Sequence, residues 1–284
     1  MAEHAPVKIT ADSTCDLTPE LYEKFAITRT PLYVTLGDKD YRDGVDIFQK
    51  DVFNYVAETK ELPKTAAVSM ADYTAVFSEW REKGYEIVHI NLSRKMSATH
   101  QNAVHAAEKV GGVYVVDSAN LSTGSGHLAL MGAELAQKDL SAAEICEELR
   151  RAVPRVEASF VVDKLEYLHK GGRCSSVAKL GANLLKLKPC IQVKDGEMGV
   201  AKKYRGSLEQ CLNQYVKEQL ENREDLDPHR IFITHTVQDK KLVSAVKKQV
   251  EELGIFDEIC VTSAGCTISS HCGPGTLGVL FLHR

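Results

Sequence analysis

Val7-Lys8-Ile9-Thr10-Ala11-Asp12-Ser13-Thr14-Cys15-Asp16-Leu17-Thr18-Pro19-Glu20 reads as a strand that runs into a polar loop and then into a helix. The β-branched alternation predicts a strand over 7–11. Thr18 before Pro19 is an N-cap followed by proline at the first helical position, where its missing N–H is no loss. A strand that yields to a helix this quickly opens a crossover unit, and the pattern repeats outward from it. Strands are predicted over 30–36, 87–92 and 113–116, and amphipathic helices over 48–59, 71–83 and 98–110. Strands separated by helices pair in parallel, with the helices covering the sheet faces.

Two consecutive helices follow, over 121–137 and 141–152. Ser141 and Glu144 stand in the spacing of a reciprocal capping box at the start of the second. Pro154 closes the pair, and from Ser159 the pattern changes. Strands are predicted over 159–162, 189–194 and 199–203, the last two around an Asp195-Gly196 turn, and then over 231–234, 258–262 and 277–282. Long helices over 207–221 and 240–253 lie among them. The expectation is an α/β chain of two domains, a mostly parallel sheet with flanking helices in 1–156 and an α+β domain in 157–284. With no low-complexity linker the two should pack together, leaving the crevice between them for a ligand.

Lys and Arg number 35 against 39 Asp and Glu in 284 residues, a net charge of −4 with no basic block, so nucleic acid is not an expected partner. The N-terminus lacks a basic start followed by an apolar stretch, and no apolar run approaches the ~20 residues of a membrane span, so no integral membrane segment and a cytoplasmic location are expected. The eight cysteines are scattered without a C-x-x-C pair and read as reduced, buried side chains. Cys266 and Cys272 are the one pair whose placement could suit metal ligands. Without a second paired set no metal is expected.

Asp12 follows the first strand, where parallel sheets expose their carboxyl ends to ligands. It could be a phosphoryl-accepting nucleophile of a small phosphohydrolase, but position 14 is Thr14 where such enzymes carry a second aspartate. Asp12 and Ser13 bonding the turn's own amides is the plainer reading. Gly273-Pro274-Gly275-Thr276-Leu277-Gly278 matches a dinucleotide fingerprint by letter, yet it precedes a strand instead of opening a helix, and no phosphate-binding G-x-x-x-x-G-K-[ST] exists. No cofactor is therefore expected. Thr65, the loop from Ser93 to Thr99 and His271 bring small polar groups from separate segments. Ser97 lacks the G-x-S-x-G elbow of a hydrolase and can cap the helix predicted at 98.

Taken in order, Asp12-Ser13-Thr14, Asp16-Leu17, Pro31-Leu32, Tyr41-Arg42-Asp43-Gly44, Pro63-Lys64-Thr65, Ser93 with Ser97 to Thr99, Val116-Asp117-Ser118, Lys188-Pro189 and His271 with Gly273-Pro274-Gly275-Thr276 resemble the DegV family. The most specific piece is Leu165-Glu166-Tyr167-Leu168-His169-Lys170-Gly171-Gly172-Arg173. The resemblance implies a two-domain fold with a long-chain fatty acid between the domains. It further implies a chain that is not an enzyme alone but the acyl-carrying subunit of a fatty acid kinase, whose separate ATP-binding subunit phosphorylates the bound carboxylate for phospholipid synthesis. A lipid sensor without phosphotransfer is the neighbouring alternative.

Carried over by position, the family's carboxylate-binding groups fall on Thr65, Ser97 and His271, and its arginine for phosphotransfer or partner contact on Arg205. Two hydroxyls and an imidazole suit a buried carboxylate, which is costly without donors. Arg173, after two glycines, is ranked as a brace for an unusual turn. Leu180, Leu184, Leu185, Leu187 and Ile191 could wall an acyl tail or equally form ordinary core. The sequence departs from the family pattern at Thr65-Ala66-Ala67-Val68-Ser69, where Thr-Ser-x-Pro-Ser is usual, and at Ser97-Ala98-Thr99-His100, where Ser-Gly-Thr-Tyr is usual.

Overall fold

In the computed structural model, which describes residues 4–178 and 187–284, β1 (Val7–Asp12) leads through one 3-10 turn to α1 (Pro19–Lys24), whose cap Thr18 accepts from Leu21 N. There follow β2 (Thr28–Thr30), β3 (Tyr33–Leu36), β4 (Lys39–Arg42), α2 (Gln49–Thr59), β5 (Lys64–Ala66) and α3 (Met70–Glu82). Then come β6 (Glu86–Asn91), α4 (Thr99–Val110), β7 (Val113–Asp117), α5 (Thr123–Gln137) and α6 (Ala142–Ala152). Strands β2, β1, β6 and β7 form a parallel sheet in that order, with Ile9 opposite Val88 and Ile90 opposite Val116.

The strand expected over 30–36 is two strands in different sheets. Thr30 pairs with Asp12 in the parallel sheet, whereas Tyr33 pairs with Arg42 and Ala66 in a small antiparallel sheet ordered β4-β3-β5. Pro31 has no N–H for a ladder, and the chain changes partners there.

The second half comprises β8 (Val156–Val161), α7 (Leu165–Gly171), α8 (Ser175–Ala178), β9 (Leu187–Lys194), β10 (Glu197–Arg205) and α9 (Leu208–Leu220). It continues with β11 (Leu226–His235), α10 (Lys240–Glu252), β12 (Glu258–Ser263), α11 (Cys266–Cys272) and β13 (Leu277–His283). Its six strands lie in the order β10-β9-β8-β13-β11-β12, antiparallel except for β11 and β12. The fold is thus α/β, a parallel sheet with flanking helices followed by an α+β part. The hairpin turn is at Asp195 and Gly196, both at positive φ. Its tip meets the parallel sheet, where Ser93 Oγ donates to Gly196 O at 2.7 Å.

Helix α5 joins the two sheets. It packs against β1 and β6 of one and β8 and β13 of the other, and is buried from Thr123 through Leu130. Small residues allow this: a Cβ at Gly126 would lie 2.8 Å from Cys15 O. Its one imidazole, His127, bonds Leu280 O at 2.9 Å, and burial pushes its pKa down to about 4. Among the described residues no helix is long and apolar enough to cross a membrane. Leu180, Leu184 and Leu185 lie outside the described residues, while Ile191 is fully buried core in β9.

Candidate functional site

Helix α11 has seven residues, small and polar for the most part, and its place is set from outside. Asp43, 2 % exposed, accepts from Cys266 N (2.8 Å) and Thr267 N (3.0 Å), and from Ser13 Oγ (3.2 Å). Asp16 reaches the residue before the helix, accepting from Gly265 N at 2.7 Å, and bonds Ser122 Oγ at 2.5 Å. Two carboxylates of the first half therefore satisfy the orphan amides of a helix in the second.

Burial pushes Asp16 up to about 8, against the pull of its bonds to Ser122 and Gly265 and with a small addition from Asp43. Between its unfolded pKa near ~3.9 and about 8 the folded state holds a proton that the unfolded chain does not. Stability from this group is complete at the acid end and is lost as pH rises through that window. Asp16→Asn, which keeps the shape without the titration, is expected to match wild type at pH near ~4 and to be the more stable at pH near ~8. Urea denaturation at the two pH values checks it. A wild-type advantage at the higher pH would contradict the assignment.

With its start fixed, α11 turns His271 toward β5, where Nε2 lies 2.8 Å from Thr65 Oγ1, a contact between residues 206 apart in the chain. His271 Nδ1 is buried without a partner. Burial, reinforced by the nearby Arg173 charge, pushes the imidazole down to about 4, so it is neutral at physiological pH. A neutral ring carries one proton, and a buried N–H is the worse group to leave unpaired, so the proton belongs on Nε2. His271 then donates to Thr65, whose own O–H is left to point elsewhere. Gly171 at the end of α7 closes over the ring: a Cβ there would stand 2.5 Å from Nδ1. Gly171→Ala is expected to push the imidazole off Thr65 and cost about 1–3 kcal/mol, read as a lower Tm and a shifted His271 imidazole resonance. An unmoved resonance would show that the ring does not depend on this contact.

Ser97 lies in the loop after β6, before α4. Thr99 donates to its Oγ from the backbone (3.2 Å), and the two hydroxyls are 2.8 Å apart. The expected capping role is thus met in modified form: the helix begins at Thr99 with Ala98 as its cap residue, and Ser97 takes the Thr99 amide. Either hydroxyl can be the donor between the two, and when Thr99 Oγ1 donates the Ser97 proton is available to a ligand.

Thr65, Ser97 and His271 line one cavity of about 60 Å³. Leu32, Leu92, Met96, Leu121, Met198 and Ile268 give it aliphatic walls from both halves of the chain, and Ala66 stands on the rim where the family pattern carries serine. A second small hollow, reaching Phe160, Gly278 and Leu280, shares Leu121, Ile268 and Cys272 with it and continues the apolar surface. Arg173 also lines the cavity while its Nη1 donates to Gly171 O at 2.8 Å, so it is at once the turn brace expected and a wall residue that was not. Thr267 is a further cavity residue that the sequence reading passed over. Its only signal there is the spacing of one helical turn from His271.

Arg205 is elsewhere. It is exposed at the end of β10, an edge strand, seven positions beyond Met198 and so about 23 Å further along extended chain. Asp12 is 0 % exposed, its carboxylate taking Tyr73 OH (2.5 Å), Thr30 Oγ1, Asn91 Nδ2 and Leu92 N. The turn's own amides, which were the expected partners, are not among them: Asp12 is clasped by groups from β2, α3 and the end of β6, and Ser13 Oγ bonds Asp43 and Leu32 N instead. Buried in this way, Asp12 leaves no room for a reacting phosphate. Cys266 Sγ donates to Ile47 O at 3.3 Å, and among the described residues no group of His, Cys, Asp or Glu could hold a metal ion. Gly273 and Gly275, both at positive φ, carry the chain from α11 into β13.

Fold and cavity together define an α/β protein of three sheets with a partly polar, partly aliphatic hollow between its halves. The chain belongs to the DegV family: the family model described as "Uncharacterised protein, DegV family" matches residues 6–284. A DegV domain-containing protein of Clostridium acetobutylicum is 33 % identical over 282 residues, 98 % of this chain and 99 % of the relative. A protein of Thermotoga maritima called a fatty acid-binding protein is 29 % identical over 280 residues, 96 % of each chain. Among solved structures, a DegV family protein of Thermus thermophilus described for its fatty acid binding superposes with a TM-score of 0.88 at 30 % identity, covering 98 % of this chain and 100 % of that one. A stearic acid-binding protein of Eubacterium ventriosum superposes at 0.85 with 27 % identity and 98 % of both chains.

Proposed function

We propose that this protein binds a long-chain fatty acid in the cavity between its two domains, 1–156 and 157–284, and presents the carboxylate to a separate ATP-dependent kinase subunit. The observation that carries the reading is the meeting of Thr65, Ser97 and His271 from distant segments in a hollow with aliphatic walls. The hydroxyls of Thr65 and Ser97 each accept from a neighbour and so have a proton to give. Two O–H donors facing an anion make charge-assisted bonds without a fixed positive charge that would hold the carboxylate too tightly to react. The tail follows the apolar surface past Leu121 and Ile268, at about 0.8 kcal/mol for each methylene buried.

The chain has no phosphate-binding loop of its own, so the nucleotide belongs to the partner. In that complex a carboxylate oxygen attacks the γ-phosphorus of ATP, the bond to the bridging oxygen breaks, ADP leaves, and an acyl-phosphate remains on this protein. Arg205, too far from the cavity to touch the head group, acts at the partner surface in this scheme, where its exposed fork suits carboxylates or phosphates. Such a carrier works in the cytoplasm.

Mass spectrometry of the protein from a bacterial host, under native and then denaturing conditions, tests the first half. An added mass equal to a fatty acid that disappears on denaturation is expected; a protein that is empty and ignores added fatty acid would sink the proposal. For the second half, Arg205→Ala is expected to keep the bound lipid and to lower acyl-phosphate formation with the kinase at least tenfold, by the loss of a charge-assisted bond. Unchanged turnover would remove the arginine from the scheme.

A further inference from the structure

Thr267 sits on α11 one turn before His271 and is 5 % exposed. It lines the same cavity as Thr65, Ser97 and His271. Its backbone N–H is taken by Asp43, but its Oγ1 is buried without any hydrogen-bond partner. The neighbouring hydroxyls on the helix behave differently. Ser269 donates to Ala264 O at 3.2 Å and Ser270 to Cys266 O at 2.7 Å, so both return to the local backbone. A buried hydroxyl left unpaired costs stability, and a valine would occupy the same volume without that cost. The Thr267 hydroxyl is therefore placed for something that enters the cavity.

We infer that Thr267 is a third hydroxyl donor to the acid group of the ligand and a determinant of acid over alcohol selectivity. This deepens the carboxylate reading of the cavity and rests on it. Thr267 lines the same hollow as Thr65, Ser97 and His271. A carboxylate offers two oxygens with about four lone-pair sites, of which Thr65 and Ser97 fill two. Thr267, which is almost fully buried whereas Thr65 and Ser97 are only partly so, fills a third. Three donors in one hollow discriminate by charge: an ionised acid satisfies all of them, and a primary alcohol, with one oxygen, leaves at least one unpaired.

The test compares delipidated wild type, Thr267→Val and Thr267→Ser in titrations with stearic acid and with stearyl alcohol. The valine variant is expected to lose roughly tenfold in affinity for the acid with little change for the alcohol, and the serine variant to stay close to wild type. Valine at wild-type affinity for the acid would overturn the inference, leaving the hydroxyl as a holder of water only. A parallel loss for both ligands would overturn it as well, because that is the signature of altered packing. A wild type that binds neither ligand would take down the fatty acid reading itself, which separates the two failures.

Discussion

Thr65→Val combined with Ser97→Ala is expected to lower fatty acid affinity by two to four orders of magnitude. Each substitution removes one donor to a buried anion, about 1.5–3 kcal/mol, and each 1.4 kcal/mol is about tenfold. The two losses share a network, because valine at 65 also strands the His271 Nε2 proton that now bonds Thr65 at 2.8 Å. The cycle of single and double variants should therefore not be additive. Displacement titration of a fluorescent fatty acid gives the affinities, and the melting temperature of the empty protein separates lost binding from lost fold. If the double variant leaves the host with the wild-type lipid content, the head group lies elsewhere.

Asp43→Ala is expected to cost about 3–5 kcal/mol of stability, by stranding three buried donors at about 1–3 kcal/mol apiece less what repacking recovers. The carboxylate is 2 % exposed and holds Cys266 N, Thr267 N and Ser13 Oγ. For a chain of this size each kcal/mol moves the melting temperature by about 2–4 °C, so a fall on the order of 10 °C follows. Asp43→Asn retains one acceptor oxygen and should lie between. A melting temperature for the alanine variant within a degree or two of wild type would show that α11 is held by its packing and not by this cap.

Much of the fold was legible because local rules and tertiary structure agree. Ser141 and Glu144 form the capping box that their spacing predicts, Thr18 and Pro19 open α1, and Asp195-Gly196 makes the hairpin turn. Where the reading failed, the deciding partner is distant. Residues 30–36 carry one continuous strand pattern, yet Pro31 splits them between sheets whose other strands lie elsewhere in the chain. Cys266-Thr267-Ile268-Ser269-Ser270-His271-Cys272 has weak helix propensity and becomes α11 because Asp16 and Asp43 cap it from more than two hundred residues away. The same reason limits the site. Thr65, Ser97 and His271 were reached by resemblance, and nothing local in the letters says that they share a cavity. Thr267 carries no signal in the letters beyond its spacing of one helical turn from His271.

The order of strands in the second sheet bears on how the protein is made. β13 lies between β8 and β11, although both precede it in the chain. While the ribosome delivers residues at roughly 5–20 per second, β8 and β11 emerge with bare edges that only β13 can cover. For that interval two apolar strands, among them Phe160, Ile231 and Ile233, are open to pairing with another nascent chain. Yield on overexpression should thus depend on chaperone supply more than the finished protein's stability would suggest, and the arrival of β13, not the folding of either half by itself, is the moment that closes the sheet.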